Sequence, residues 1–381
     1  MFARQLVPPE SSFFLLGARG TGKTTWIRHH FPHARSYDLL SSAESLRLAR
    51  DPSLLTAECS ALPEAAWIVL DEVQRVPQLL DEVQNLMTTR QQRFVLSGSS
   101  ARKLRRSGAN LLAGRAEMRH MFPLTSAEAG LDRPLDDLLV EGMLPLAVTR
   151  KRPAAFLRSY SEVYLKEEVQ AEALVRQIGP FHRFLEVAAR LNGQTVNIAG
   201  IARDAGIARQ TATDFFQILV DTLLATWLPA WKLKRAVKQV AHPKFFLFDT
   251  GVARTLSGTA HLDLHPEERG ALLETFLLHE MRAYVHYHDL EYPIAYWKTH
   301  DGSEVDFVIE TPTGLVAIEV KSGTRWDSRF HAGMRALRER MGKGTVRAFG
   351  VYTGPRALVT DAVRVLPWKE FLASLWAGDL L

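Results

Sequence analysis

The chain has 381 residues, 46% of them hydrophobic and 23% charged, a balance ordinary for soluble globular protein and long enough for two or three domains. A single cysteine, Cys59, excludes an intramolecular disulfide framework and a Cys-rich zinc site, and it fits a reducing, cytoplasmic compartment. The net charge of +5 is compatible with nucleic acid without demonstrating it, no apolar run approaches the ~18 residues of a membrane span, and Met1-Phe2-Ala3-Arg4 leads into no signal-peptide core.

Phe13-Phe14-Leu15-Leu16 reads as a buried parallel strand. It runs into Gly17-Ala18-Arg19-Gly20-Thr21-Gly22-Lys23-Thr24, which fits the phosphate-loop pattern G-x-x-x-x-G-K-[ST]. Thr24-Thr25-Trp26-Ile27-Arg28 reads as the first turns of a helix. That order suits phosphate binding, because glycines let backbone N–H groups turn inward and a helix N-terminus adds partial positive charge. The expected cofactors are ATP and Mg²⁺. Lys23 is expected to reach the β- and γ-phosphates, and the Thr24 hydroxyl to ligate the metal.

Residues 34–62 carry no motif. Ala66-Trp67-Ile68-Val69-Leu70 is an apolar strand ending in Asp71-Glu72, the Walker B pattern. Asp71 is expected to hold Mg²⁺ directly or through water, and Glu72 to orient and polarise the attacking water. Asp81-Glu82 repeats the acid pair within a helical stretch and reads as a solvated face. Phe94-Val95-Leu96-Ser97-Gly98-Ser99-Ser100 reads as another buried strand. Its Ser99, with Ser97 as the substitute, is a candidate γ-phosphate sensor, with turn chemistry as the competing reading. Arg102, Lys103, Arg105 and Arg106 form a basic run that reads as a solvated helix face. Arg115 is a candidate for the arginine that a neighbouring subunit supplies to the γ-phosphate, against an ordinary surface arginine.

Gly17 to Thr24, Leu70-Asp71-Glu72-Val73-Gln74, Leu96-Ser97-Gly98-Ser99-Ser100-Ala101-Arg102 and Leu112-Ala113-Gly114-Arg115 together resemble a prokaryotic family of AAA-type ATPases with a fused C-terminal domain of unknown function. Glu141-Gly142-Met143-Leu144-Pro145 resembles that family's Gly-Gly-x-Pro element and departs from it at Glu141. The resemblance covers nearly the whole chain. It implies an ATPase core, a winged helix and a restriction-endonuclease-like end.

Farther along, 154–175 is a long amphipathic stretch. A second helix runs from Phe181 to Leu191. Ile198-Ala199-Gly200-Ile201-Ala202-Arg203-Asp204, a turn at Gly206 and a helix from Ala208 to Leu224 follow the helix-turn-helix plan. Arg209, Gln210, Thr211 and Thr213 open the last helix, where side chains suit phosphate and base-edge contacts. Thr226 to Trp231 and Phe245 to Phe248 read as two strands, and Lys232, Lys234, Arg235 and Lys238 between them form a basic hairpin tip. The pattern looks like a winged helix with a cationic wing; a winged helix used only for packing is the alternative.

In the last third, Leu272 to about Tyr287 is an amphipathic helix. Strands follow at Ile294 to Lys298, Glu304 to Ile309 and Leu315 to Lys321, then a helix over 330–341 and a strand over 347–352. This α-β-β-β-α-β order, with Asp306 on one strand and Glu319-x-Lys321 on the next, resembles the PD-(D/E)xK nucleases. Residues of matching parity share a strand face, so Asp306 and Glu319 can converge on one hard cation, Mg²⁺ or Mn²⁺. Lys321 shares the face of Glu319 and is a candidate to activate water, and Glu274 adds an acid from the helix. The alternative is a fold that keeps these acids without cutting. His279, His286 and His288 lack metal-ligand spacing and read as partly exposed helix histidines.

The sequence therefore predicts an α/β protein: a parallel-sheet P-loop AAA-type domain at 1–155, a helical and winged-helix middle at 156–258, and a restriction-endonuclease-like domain at 265–381. The expected activity is ATP hydrolysis coupled to DNA remodelling or processing, including branched or junction DNA, with a candidate Mg-dependent nuclease site. DNA and a homo-oligomer with ATP sites between subunits, a hexamer among the arrangements, are the expected partners; no membrane is. The alternative function is a nucleotide-switched regulator or scaffold whose last domain binds DNA or protein without cleavage.

Overall fold

The computed structural model describes residues 2–100, 112–164, 178–232, 242–342 and 344–381, and the strands among them form three sheets. The first contains β1 (Phe13–Leu16), β2 (Arg35–Asp38), β3 (Trp67–Asp71), β4 (Arg93–Gly98) and β5 (Glu117–His120) in the order β2-β3-β4-β1-β5. Every pairing in it is parallel. All of β1 is buried, as befits a strand covered on both faces. Phe13 and Leu15 pack with Trp26 and Ile27 of helix Lys23–His30. Phe14 and Leu16 face the other way, toward Leu80, Val83 and Leu86 of helix Leu79–Thr89. β2 lies in the stretch that carried no motif. It is an edge strand with only Tyr37 buried, so it shows no apolar run.

In the middle of the chain, helices Ile178–Arg190, Ile198–Asp204 and Arg209–Asp221 stand beside a small antiparallel sheet. Its strands β6 (Gln194–Thr195), β7 (Ala225–Leu228) and β8 (Lys244–Leu247) lie in the order β6-β8-β7. Phe184, Phe216 and Phe245 stack edge to face between helices and sheet, with ring centroids 4.8 and 5.0 Å apart. Asn197 starts the second helix by accepting from the N–H groups of Ala199 and Gly200. The amphipathic stretch from 154 holds helix Pro153–Ser159 and a wider turn at Tyr160–Tyr164; its remainder lies outside the described residues. So do Lys234, Arg235 and Lys238 of the expected hairpin tip, and the basic run from Arg102 to Arg106.

The third sheet contains β9 (Ile294–Lys298), β10 (Glu304–Thr311), β11 (Gly314–Lys321), β12 (Val346–Tyr352), β13 (Leu358–Thr360) and β14 (Val363–Pro367), in the order β13-β14-β12-β11-β10-β9. It is mixed: β9, β10 and β11 run antiparallel, and β12 and β14 lie parallel to β11. Helices Pro266–Tyr287 and Ala332–Met341 take the positions expected in the α-β-β-β-α-β order. The chain then continues through β13, β14 and helix Trp368–Trp376.

One buried cluster touches all three segments, from Ala18 and Leu144 through Phe184 and Phe246 to Phe276, Phe307 and Phe371, while the two faces of the first sheet pack in clusters of their own. Helix Pro266–Tyr287 is central to it. Glu280 on that helix accepts from the backbone N–H and the hydroxyl of Ser126 at 2.6 and 2.8 Å and from the indole of Trp376 at 2.7 Å. His279, expected to be partly exposed, is buried against the Leu124 carbonyl at 2.9 Å. Among the described residues no helix is long and apolar enough to cross a membrane.

Candidate nucleotide site and acidic cluster

The phosphate-loop pattern, the Walker B acids and Ser97 and Ser99 meet where the interior strands β1, β3 and β4 end. The parallel register sets Leu16 beside Gly98 and Leu70 beside Leu96, so the chain leaves β1, β3 and β4 on the same side. Gly17 must be glycine, since a Cβ there would come within 2.4 Å of the Met121 carbonyl oxygen. Gly20 and Gly22 have φ of 84° and 99°, which favours glycine and turns the loop back on itself. The Lys23 ammonium is buried and donates to the Gly17 carbonyl at 2.7 Å and the Ala18 carbonyl at 3.4 Å, which stations it over the loop.

The Thr24 hydroxyl donates to Asp71 Oδ2 at 2.8 Å, bridging the loop to the end of β3. The Ser97 hydroxyl donates to the other oxygen, Oδ1. Glu72 takes a left-handed conformation, φ 62°, and its backbone N–H donates to Ser97 Oγ at 3.3 Å. Its carboxylate accepts from Gln74 Nε2 at 2.5 Å and from Ser99 Oγ at 3.3 Å. Ser97 and Ser99 therefore donate to the two carboxylates separately, Ser97 to Asp71 and Ser99 to Glu72. Gln74, two residues beyond Glu72 and without a motif of its own, is the side chain that ties Glu72 to Ser99. This donor set fits a nucleotide with its Mg²⁺: a glycine loop a Cβ would fill, an ammonium, and a hydroxyl already bonded to a carboxylate. Arg19, Thr21 and Thr25 occupy the loop and first helical turn as expected, and the Thr21 hydroxyl bonds the Ala18 carbonyl at 2.9 Å.

Two features of the loop's surroundings were not legible in its motif. The Tyr160 hydroxyl donates to the Arg19 carbonyl at 2.7 Å, and its ring lies against Gly20. A cavity of about 580 Å³ adjoins Gly22 and is walled by Phe2, Trp26, His29, Pro145 and Leu146. Pro145 belongs to the segment resembling the Gly-Gly-x-Pro element, and Asp249 holds that segment in place. Asp249 is fully buried, accepts from Met143 N–H at 2.7 Å and Val252 N–H at 3.0 Å, and leaves no room for a Cβ on Gly142. Burial pushes its carboxyl up to about 6. Arg115 is exposed on the approach to β5 and makes no ion pair among the described residues.

The acids of the third sheet converge as their strand positions predict. Asp306 is one step beyond the Phe307–Ile318 pair, which sets it across from Glu319. The β9–β10 register slips between Val305 and Val308, so Asp306 lies within a bulge on that side. Asp306 Oδ2 accepts from the Val320 N–H at 2.8 Å, and the Lys321 ammonium is 2.6 Å from Glu319 Oε1. Glu274 approaches from helix Pro266–Tyr287. The sequence reading missed Lys244. This residue opens β8, on a different sheet, and its ammonium lies 2.6 Å from Glu304 Oε1, 3.8 Å from Glu274 Oε2 and 3.9 Å from Asp306 Oδ1. Burial and the nearby Asp306 push the Glu274 and Glu319 carboxyls well above the usual range. Burial opposes the Lys244 charge, but Glu274, Asp306 and Glu304 outweigh it and raise its pKa.

As arranged, the cluster does not fit a divalent cation. Metal ligation needs carboxylate oxygens at about 2.0–2.6 Å from one point, and an ammonium stands among these. Among the described residues no group of three or more His, Cys, Asp or Glu side chains is disposed to hold a metal ion. Asp306 and Glu319 are thus brought together without forming the expected metal site. On the middle sheet's side, Arg209 and Gln210 are exposed at the start of helix Arg209–Asp221, and Lys232 is exposed where the described chain leaves β7.

The glycine-loop geometry and the parallel sheet are of the P-loop kind. A family model described as an AAA domain matches residues 10–130. Models described as domains of unknown function, DUF8612 and DUF4143, match residues 132–263 and 269–371. Uncharacterized proteins of Mycobacterium tuberculosis and Mycobacterium bovis are each 28% identical over 317 residues, covering 81% of this chain and 69% of theirs. Solved structures were matched as well, among them the following two. The Aeropyrum pernix ORC1 protein in complex with DNA is 14% identical, with 67% of this chain and 87% of that chain covered and a TM-score of 0.27. Protein VC1899 from Vibrio cholerae is 11% identical, with 96% of each covered and a TM-score of 0.24.

Proposed function

We propose that the chain binds and hydrolyses ATP and uses the turnover to act on DNA. The observation that carries the ATPase reading is the pair of linked contacts Thr24–Asp71–Ser97 and Glu72–Gln74–Ser99 at the mouth of the glycine loop. In this reading Lys23 and the loop N–H groups bind the phosphates, and Thr24 and Asp71 hold Mg²⁺. The metal, when bound, neutralises charge on the phosphate oxygens. Glu72 accepts a proton from water, and Gln74 and Ser99 fix the orientation of its carboxylate. The cavity beside Gly22, with Phe2 and Trp26 in its wall, suits a flat nucleoside base. Arg115 would complete the site of a neighbouring subunit.

The DNA reading is supported by exposed Arg209, Gln210 and Lys232 on an arrangement of helices and sheet that suits a winged helix. The test is the ATPase rate of the full chain with and without duplex, single-stranded and branched DNA, alongside mass in solution with ATP. A rate unaffected by every DNA form would sink the DNA half of the proposal. Absence of any Lys23-dependent turnover would sink the first half.

A nucleotide-switched regulator or scaffold is the second reading, and Lys244 favours it. With an ammonium among the acids, the last domain is better equipped to bind than to cut. Nucleotide-dependent capture of a protein partner, without DNA, would select this reading.

A further inference from the structure

We propose that the Lys244 ammonium is the resident cation of the C-terminal acidic cluster, and that the cluster accepts a divalent ion only once that ammonium is withdrawn. The proposal rests on the reading of Glu274, Asp306 and Glu319 as a cation site.

Lys244 is held where it is by the fold. Its backbone pairs with Thr195 on one side and Leu228 on the other, so a central strand of the middle sheet delivers the charge. Its residue is 6% exposed, and the ammonium also lies 5.3 Å from the centre of the Tyr296 ring. Tyr296 is in turn tied to the middle of the chain: its hydroxyl donates to the His242 carbonyl at 2.5 Å, and its strand bridges Ala230.

Carboxyl groups outnumber ammonium groups there. Glu274, Glu304, Asp306 and Glu319 face Lys244, Lys321 and the more exposed Lys298. Buried carboxylates without compensation are costly. One acceptor is still unused: Glu319 Oε2 is buried without a hydrogen-bond partner, on a residue 8% exposed. A divalent ion bound by these oxygens would lie within about 4 Å of the ammonium, where like charges repel strongly in a poorly solvated site. Ion and ammonium are therefore alternatives. Lys244 belongs to the middle sheet, so a residue outside the C-terminal sheet supplies the cation that the acids hold.

The experiment measures Mn²⁺ binding to the nucleotide-free full chain by electron paramagnetic resonance, with melting temperature as a second readout. Wild type is expected to show no Mn²⁺ binding that depends on Asp306. Lys244→Met keeps the side-chain length without the charge; it should bind Mn²⁺ at least about tenfold more tightly than wild type. Mn²⁺ should raise its melting temperature and leave wild type unmoved. Lys244→Met with Asp306→Asn should lose both effects, and Lys244→Arg should show neither. If Lys244→Met does not fold, Lys244→Met with Glu304→Gln removes an acid together with the ammonium and carries the same test. Wild-type binding that Asp306→Asn abolishes would overturn the role of Lys244 and leave the cation site standing. A folded Lys244→Met protein that binds no Mn²⁺ would overturn both.

Discussion

The Tyr160 hydroxyl donates to the carbonyl of Arg19 at 2.7 Å across 141 residues of sequence. The contact joins the turn after helix Pro153–Ser159 to the crown of the phosphate loop, with the Tyr160 ring against Gly20. Tyr160→Phe keeps the ring and removes the bond. Such a loss costs about 1 kcal/mol, so affinity for ATP should fall by about fivefold if the bond shapes the loop. Titration with a fluorescent ATP analogue checks it; unchanged affinity would make the contact purely structural.

Lys23 and Glu72 should fail in different ways. Lys23→Ala removes the ammonium from the loop and should abolish nucleotide binding. Glu72→Gln leaves the loop and Asp71 intact, so ATP should still bind while turnover falls by about 10²-fold or more. Equilibrium binding and steady-state hydrolysis on both variants separate the two effects. Parental turnover in Glu72→Gln would remove Glu72 as the base.

Arg115 is exposed and unpaired among the described residues, which suits a side chain offered to another subunit. If it is, the ATPase rate per subunit should rise with protein concentration. Arg115→Ala should bind ATP yet turn over slowly, and mixing it with Lys23→Ala should recover activity at the mixed interfaces. A concentration-independent rate from a protein that stays monomeric with ATP would end this assignment.

Glu280 gives stability a pH dependence. Burial pushes its carboxyl up to about 7, against an ordinary 4.5. The folded protein therefore keeps a proton that the unfolded chain releases, and Glu280 withdraws stability as pH rises through that window. His279, driven down to about 4 by burial, acts in the opposite sense, gaining stability as pH rises. The difference between wild type and Glu280→Gln isolates the carboxyl. The melting temperature of wild type, relative to the variant, should fall between pH 5 and pH 7.5. A constant difference would show that Glu280 is ionised throughout.

Replacing Lys232, Lys234, Arg235 and Lys238 together should weaken DNA binding across sequences and flatten its salt dependence, because fewer counterions are released. Arg209→Ala should act more locally. A binding isotherm series in rising salt reads both, and an unchanged slope would return the segment to a packing role.

The nucleotide site was legible because its chemistry is written contiguously: a buried strand, then glycines, Lys23 and Thr24, and a second strand ending in Asp71-Glu72. The acids on β10 and β11 were legible because strand parity is a local rule. Lys244 was not, because its partners Glu274, Glu304 and Asp306 lie far downstream, and a lysine ahead of Phe245-Phe246 reads as a strand-end charge. β2 was missed because an edge strand needs only one buried residue. Gln74 and Tyr160 carry no motif of their own; only the folded chain shows that they hold Glu72 and the phosphate loop.

The buried cluster that joins Ala18, Phe184, Phe276 and Phe371 has a consequence for how the protein comes apart. Three family models divide the chain in sequence, but a break at 131 or near 265 would strip apolar side chains that the neighbouring segment covers. Limited proteolysis should accordingly leave few long-lived intermediate fragments, and heating should give one calorimetric transition. Proteins sharing only the AAA segment would need different residues where this one presents Ala18 and Leu124 to the rest of the chain.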